Sequence, residues 1–149
     1  MKKLTDDVFG ELIYENLFWR RLYLIEIFDR QVNIQLLVDS YDDADDGSDI
    51  NTNQREAFLN FEKSKKDIIE EIEQAVLSYY KEITNNQMVS FEDIREMVNL
   101  KYLKVIYTEI GEDRELGFIF DASFDPELGV GVLISNERVV DVGVQDIVL

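Results

Sequence analysis

The chain has 149 residues, 32 Asp or Glu against 15 Lys or Arg, a net charge of −17, and neither histidine nor cysteine. This composition removes the commonest general base, the thiol nucleophile and the best transition-metal ligands. It also disfavours nucleic acid or an anionic membrane as direct partner, because phosphate binding needs Lys and Arg to displace counterions.

With 46% apolar residues the chain is long enough to bury a core, and one domain over 1–149 is expected. Met1 to Asp7 carries two lysines with no apolar segment behind them, unlike a signal peptide. The longest apolar run, Leu22 to Phe28, is broken by Glu26 and falls far short of the ~20 residues of a membrane span. The absence of cysteine fits a reducing compartment, so a cytoplasmic location is expected.

From Val8 to Asp39 the hydrophobic period is two. Val8, Leu12 and Tyr14 suggest a short first strand, and Trp19, Tyr23, Ile25 and Ile27 mark a second. Leu22, Leu24 and Phe28 point to that strand's other face. Val32, Ile34, Leu36 and Val38 mark a third, with Asp29-Arg30 as a two-residue hairpin turn before it.

After an acidic loop the period becomes helical. Ala57, Phe58, Phe61, Ile68, Ile69, Ile72, Val76, Tyr79, Tyr80 and Ile83 form one stripe. A straight helix from Asn53 to Ile83 would be ~46 Å long in a domain only ~38 Å across. A break is therefore expected near Glu62 to Lys65. Ser90-Phe91-Glu92-Asp93 reads as an N-cap with acids in the first turn, opening a short helix to about Val98.

Period two then returns in Leu103 to Tyr107, Phe118 to Phe124, Val130 to Ile134 and Val139 to Val144. Asp125-Pro126-Glu127-Leu128-Gly129 is a turn with a Gly suited to positive φ, and Asn136-Glu137 joins the last pair. Strands, then helices, then hairpin-linked strands predict an α+β fold. The expected architecture is a mainly antiparallel sheet of about six strands, three N-terminal and three to four C-terminal, with two to three helices packed on one face.

The loop from Asp39 to Asp49 invites a calcium-loop reading. With Asp42 as first ligand, Ala44 occupies the third position and Asn53 the twelfth, where a bidentate Glu is required, so the match fails. The loop reads as a solvated crossing, as an electrostatic docking surface for a basic partner through Asp42, Asp43, Asp45, Asp46 and Asp49, or as a weak, adventitious cation binder. Trp19 is a candidate partner anchor if exposed, and a core residue otherwise. No nucleophile elbow, Ser-x-x-Lys spacing or phosphate loop appears, and no cofactor is expected. Asp121, Asp125, Glu127 and Asp146 are a weak candidate set for magnesium or calcium, should the last strands bring them together.

Several stretches together resemble a known family. They are Phe9-Gly10-Glu11-Leu12, Trp19, Gln54-Arg55-Glu56-Ala57-Phe58 and Tyr79-Tyr80. The C-terminal part adds Phe120-Asp121-Ala122-Ser123-Phe124-Asp125-Pro126-Glu127-Leu128-Gly129-Val130-Gly131 and Val142-Gly143-Val144-Gln145-Asp146-Ile147. The pattern is similar to that of small bacterial domains of unknown function, of the immunity or toxin-associated kind. In that family the turn is usually Trp-Asp-x-Glu-His-Gly, and here Phe124 and Leu128 stand for the Trp and the His.

Charge and resemblance together lead to an expected function: a non-enzymatic acidic protein that binds a basic protein partner, of the immunity type, occluding a toxin such as a nuclease. The alternatives are a carboxylate-based metal-dependent hydrolase, and a structural or regulatory module without a dedicated antagonist.

Overall fold

The computed structural model describes residues 2–41 and 46–149. Its elements run β1 (Lys2–Asp6), β2 (Gly10–Glu15), β3 (Phe18–Ile27), β4 (Arg30–Asp39), α1 (Thr52–Lys63), α2 (Lys65–Thr84), α3 (Phe91–Arg95), β5 (Val98–Val105), β6 (Glu115–Ala122), β7 (Val130–Ser135) and β8 (Arg138–Gly143). A 3-10 turn, Gln145–Val148, follows. The fold is α+β, with three α-helices among the described residues and a mostly antiparallel sheet. The sheet has eight strands rather than about six, in the order β1 to β8, and β4 pairs with β5 in parallel. The helical segment is the crossover that makes that parallel pair possible.

Two differences from the period-two reading explain the strand count and limits. β1 contains one apolar residue, Leu4, so it has no hydrophobic alternation to read, and it exists by pairing with β2. Strand β5 starts at Val98, five residues before the expected Leu103. A bulge between Leu100 and Tyr102 puts both Leu100 and Leu103 in the core although they are three apart. Helix α3 accordingly stops at Arg95, short of Val98.

Three hairpins turn on two residues that both have positive φ: Asn16-Leu17 (52°, 72°), Phe28-Asp29 (50°, 62°) and Asn136-Glu137 (47°, 65°). Such turns match the right-handed twist of their strands. The β3–β4 turn is thus Phe28-Asp29, one residue earlier than Asp29-Arg30. A Phe at positive φ is strained, and two contacts hold it. The Phe28 N–H donates to Glu73 at 2.5 Å, and its ring packs edge-on to Phe120 at 6.3 Å.

The expected helix break falls at Ser64, which ends α1 and precedes α2. Ala57, Phe58 and Phe61 of α1 and Ile68, Ile72 and Val76 of α2 bury the apolar stripe against the sheet's inner face. Partners there include Trp19, Ile25, Leu36, Leu103, Phe118 and Val132. The sheet curls around α2. Glu71 accepts the Val139 N–H of β8 at 2.7 Å, while Glu73 reaches the β3–β4 turn. Among the described residues no helix is long and apolar enough to cross a membrane.

Candidate docking site at the acidic end of the sheet

Because β4 and β5 run parallel, both end on the same side of the sheet, and α1 begins there. Gln54, 0% exposed, ties these three elements together. Its side-chain N–H groups donate to the Asp39 carbonyl at 2.8 Å and, less closely, to the Val105 carbonyl at 3.4 Å. Its side-chain oxygen accepts the Asn51 N–H, while Asn51 accepts the Gln54 N–H, a reciprocal cap on α1. Asn53, also buried, donates to the Thr108 hydroxyl and to the Glu109 and Glu112 carbonyls at 2.8–3.0 Å. Asn53, with Asn51 donating to the Thr108 carbonyl at 2.8 Å, anchors the 106–114 loop against the start of α1.

A second set of bonds positions the acidic crossing. The Asp39 carboxylate accepts the N–H of Ser40 at 3.0 Å and that of Tyr107 at 3.3 Å. Ser40 donates its hydroxyl to Asp49 at 3.1 Å. Arg55 pairs with Asp6 of β1 at 2.7 Å and donates to the Ile50 carbonyl. Burial of Asp6 opposes its ionisation, yet Arg55 and the N–H groups of Phe9 and Val8 hold its carboxyl below the usual carboxylate range.

On this frame Tyr41, 54% exposed, stacks on Tyr107 with ring centroids 5.0 Å apart and planes at 21°. The pair borders a concavity of about 430 Å³ whose rim carries Glu109, Glu112, Asp113 and Glu115. Burial, then Asp113, raises the Glu115 carboxyl. Lost solvation, then Glu109, raises the Tyr107 phenol. The neighbouring cation, Arg114, is committed to Glu137 through two bonds of 3.0 and 2.8 Å. The surface is therefore a pair of aromatic faces set in a negative field, suited to ammonium or guanidinium groups.

Of the residues expected in the acidic loop, Asp42, Asp43 and Asp45 lie outside the described residues. Asp46 accepts the Ser48 N–H at 2.9 Å, and its bonds with Ser48 hold its carboxyl low. Asp49 is held by Ser40. Trp19 belongs to the core. It is 1% exposed and packs edge-on to Tyr14 at 5.2 Å, so it has no surface to offer a partner and its role as anchor is withdrawn. The weak metal set is not brought together either. Asp121 faces Lys101 at 3.7 Å, Asp125 caps the Leu128 N–H, and among the described residues no three acidic side chains are grouped to hold a metal ion.

Sequence reasoning missed Glu109, Glu112, Asp113 and Glu115. The signal was present as a second acidic run interrupted by Gly111, but nothing in the sequence placed it beside the first.

Residues 8–149 match the family described as Domain of unknown function (DUF6985). The chain belongs to this family. Comparison with curated proteins and with solved structures returned no match. In this DUF6985 domain the C-terminal motif residues have architectural roles. Gly129 sits at φ 56°, where an added Cβ would meet the Phe120 carbonyl at 2.4 Å. Gln145 donates its side-chain N–H to that same carbonyl at 3.0 Å and its backbone N–H to Leu128. Gly131 and Gly143, paired across β7 and β8, leave room for Ile147. The motif thus clasps the 3-10 turn onto the sheet's outer face.

Proposed function

We propose that this DUF6985 domain is a non-catalytic acidic binding protein that docks a basic protein partner at the end of the sheet bearing Tyr41 and Tyr107. The observation that carries this reading is a stacked aromatic pair set between Asp39 and Asp49 on one side and Glu109, Glu112, Asp113 and Glu115 on the other, with the nearby arginine already neutralised. The partner suited to such a surface carries a positive groove, as a nuclease must, and occluding that groove is an immunity-type role. The resemblance to bacterial immunity or toxin-associated domains supports the same reading. The architectural contacts of the motif's Gln and Gly residues fit the same reading.

A test that separates placed charge from bulk charge compares two variants of equal net charge. One carries Asp42→Asn, Asp43→Asn, Glu109→Gln and Glu112→Gln. The other carries Glu11→Gln, Glu82→Gln, Glu127→Gln and Asp141→Asn, all exposed and elsewhere. Association with an immobilised arginine-rich protein surface is followed at two ionic strengths. The first variant should associate about tenfold more slowly at low salt, and the second within about threefold of the parent. Equal slowing in both would show that only net charge matters and would remove the docking site.

A further inference from the structure

Strand β3 is longer than the partner on one of its sides. It pairs with β4 along its whole length, but with β2 only at Phe18, Trp19 and Arg20. Among the described residues no strand pairs with β3 beyond Arg20 on that side. The two-residue turn fixes which groups are free there. Ile27 and Arg30 close the hairpin as a bonded pair, so Ile25 and Tyr23 also bond to β4. Leu24 and Glu26 therefore aim their backbone N–H and C=O groups away from it. The Leu22 carbonyl on the same edge is taken by the Arg21 guanidinium at 3.1 Å.

This edge is one wall of a groove of about 830 Å³, and the first half of α2 is another. Its apolar lining includes Leu24, 54% exposed, and Ile69, while Glu26, Glu70 and Glu73 supply charge. Three cations line it with five carboxylates, Glu26, Asp29, Glu70, Glu73 and Glu92: Lys66 is exposed, and the other two have acidic or aromatic neighbours. Lys65 pairs with Glu62 at 3.3 Å and lies 4.6 Å from the Tyr23 ring, and Arg95 lies 3.9 Å from both Asp29 and Glu96. Burial, and then repulsion from Glu70, Asp29 and Glu26, raises the Glu73 carboxyl, so an added cation would relieve unfavourable charge. The groove is distinct from the acidic end. The two lie at opposite ends of β4, roughly 30 Å apart at the rise of a strand.

We propose that this groove binds an extended basic peptide segment as an added strand, its backbone pairing with Leu24 and Glu26. Side chains of one parity then lie against α2, where Lys or Arg meets Glu70 and Glu73. Those of the other parity lie beside Leu24 and Glu26 on the outer face. Backbone bonds supply affinity and the alternate side chains supply selectivity. A free edge next to a helix is otherwise a hazard for uncontrolled pairing, and here the acidic lining rejects acidic segments.

The probes are an acetylated hexapeptide alternating Arg and Val, its Glu counterpart, and the Arg peptide with every backbone nitrogen methylated. Affinity is measured by calorimetry at fixed salt on the full chain. The Arg peptide should bind about tenfold tighter than the Glu peptide, and methylation should weaken the Arg peptide about tenfold by removing its backbone donors. Leu24→Pro removes the outward N–H together with the Leu side chain, at an edge position where Pro is tolerated, and Glu26→Lys with Glu70→Lys reverses the lining. Each should weaken the Arg peptide about tenfold, with Trp19 emission unchanged as the check on folding. The Glu109→Gln and Glu112→Gln pair should leave it within about threefold. Equal binding of the methylated peptide would overturn strand addition. Loss only in the Glu109 and Glu112 variant would overturn this groove while leaving the acidic-end reading standing. Loss only in the groove variants is the expected result, and the acidic-end reading then stands or falls by its own association test.

Discussion

Gln54→Met tests whether one buried amide holds the acidic end together. The substitution keeps length and approximate volume, so the cost isolates the polar contacts. It removes the 2.8 Å bond to the Asp39 carbonyl, the longer 3.4 Å bond to Val105 and the acceptor for the Asn51 N–H. An unsatisfied buried carbonyl costs ~1–2 kcal/mol, the long bond less, and half of a reciprocal cap ~0.5–1, so the loss should total about 2–4 kcal/mol. Urea unfolding followed by Trp19 emission measures it, with the midpoint moving and the slope unchanged. Gln54→Glu adds a signature that volume cannot mimic. It keeps the acceptor for Asn51 but turns a charge toward two carbonyl oxygens, which raises the folded carboxyl above its unfolded value. Stability relative to the parent is then retained below the ordinary Glu value of about 4.3, and is lost as pH rises through the raised folded value. A Met variant within ~0.5 kcal/mol of the parent, or a Glu variant whose deficit ignores pH, would refute the clasp.

Two other perturbations address the ends of the chain. Gly117→Ala places a Cβ 2.8 Å from the Val148 Cβ and should cost about 1–3 kcal/mol, recovered in large part by Val148→Ala in a double-mutant cycle. Asp6→Asn breaks the pair with Arg55 and should cost about 1–3 kcal/mol at neutral pH. Because the Asp6 carboxyl is lowered in the fold, its contribution is present above the ordinary Asp value near 3.9 and fades as pH falls through the lowered one. The two proteins should thus converge in acid unfolding curves.

Local chemistry alone determined much of this protein. Alternation placed β3, β4, β6 and β7, because each turns one face to the helices and the period of a strand is two. The 3.6-residue stripe placed α1 and α2, and the lapse at Ser64 marked their junction. Pro126 and Gly129 fixed a turn through backbone dihedrals that only those residues favour. Tertiary structure decided the rest. Strand β1 has no apolar pattern and is held by pairing and by the Asp6–Arg55 contact. The bulge in β5 shifts the register that alternation would extend, and Phe28 accepts a positive φ because Glu73 and Phe120 hold it. The same reason governs the sites. Sequence shows that two segments are acidic, but only the parallel pairing of β4 and β5 sets Asp49 near Tyr107. Only the shortness of β2 against β3 leaves Leu24 and Glu26 with an unpaired edge. Proximity between residues distant in the chain comes from packing, and no local propensity encodes it.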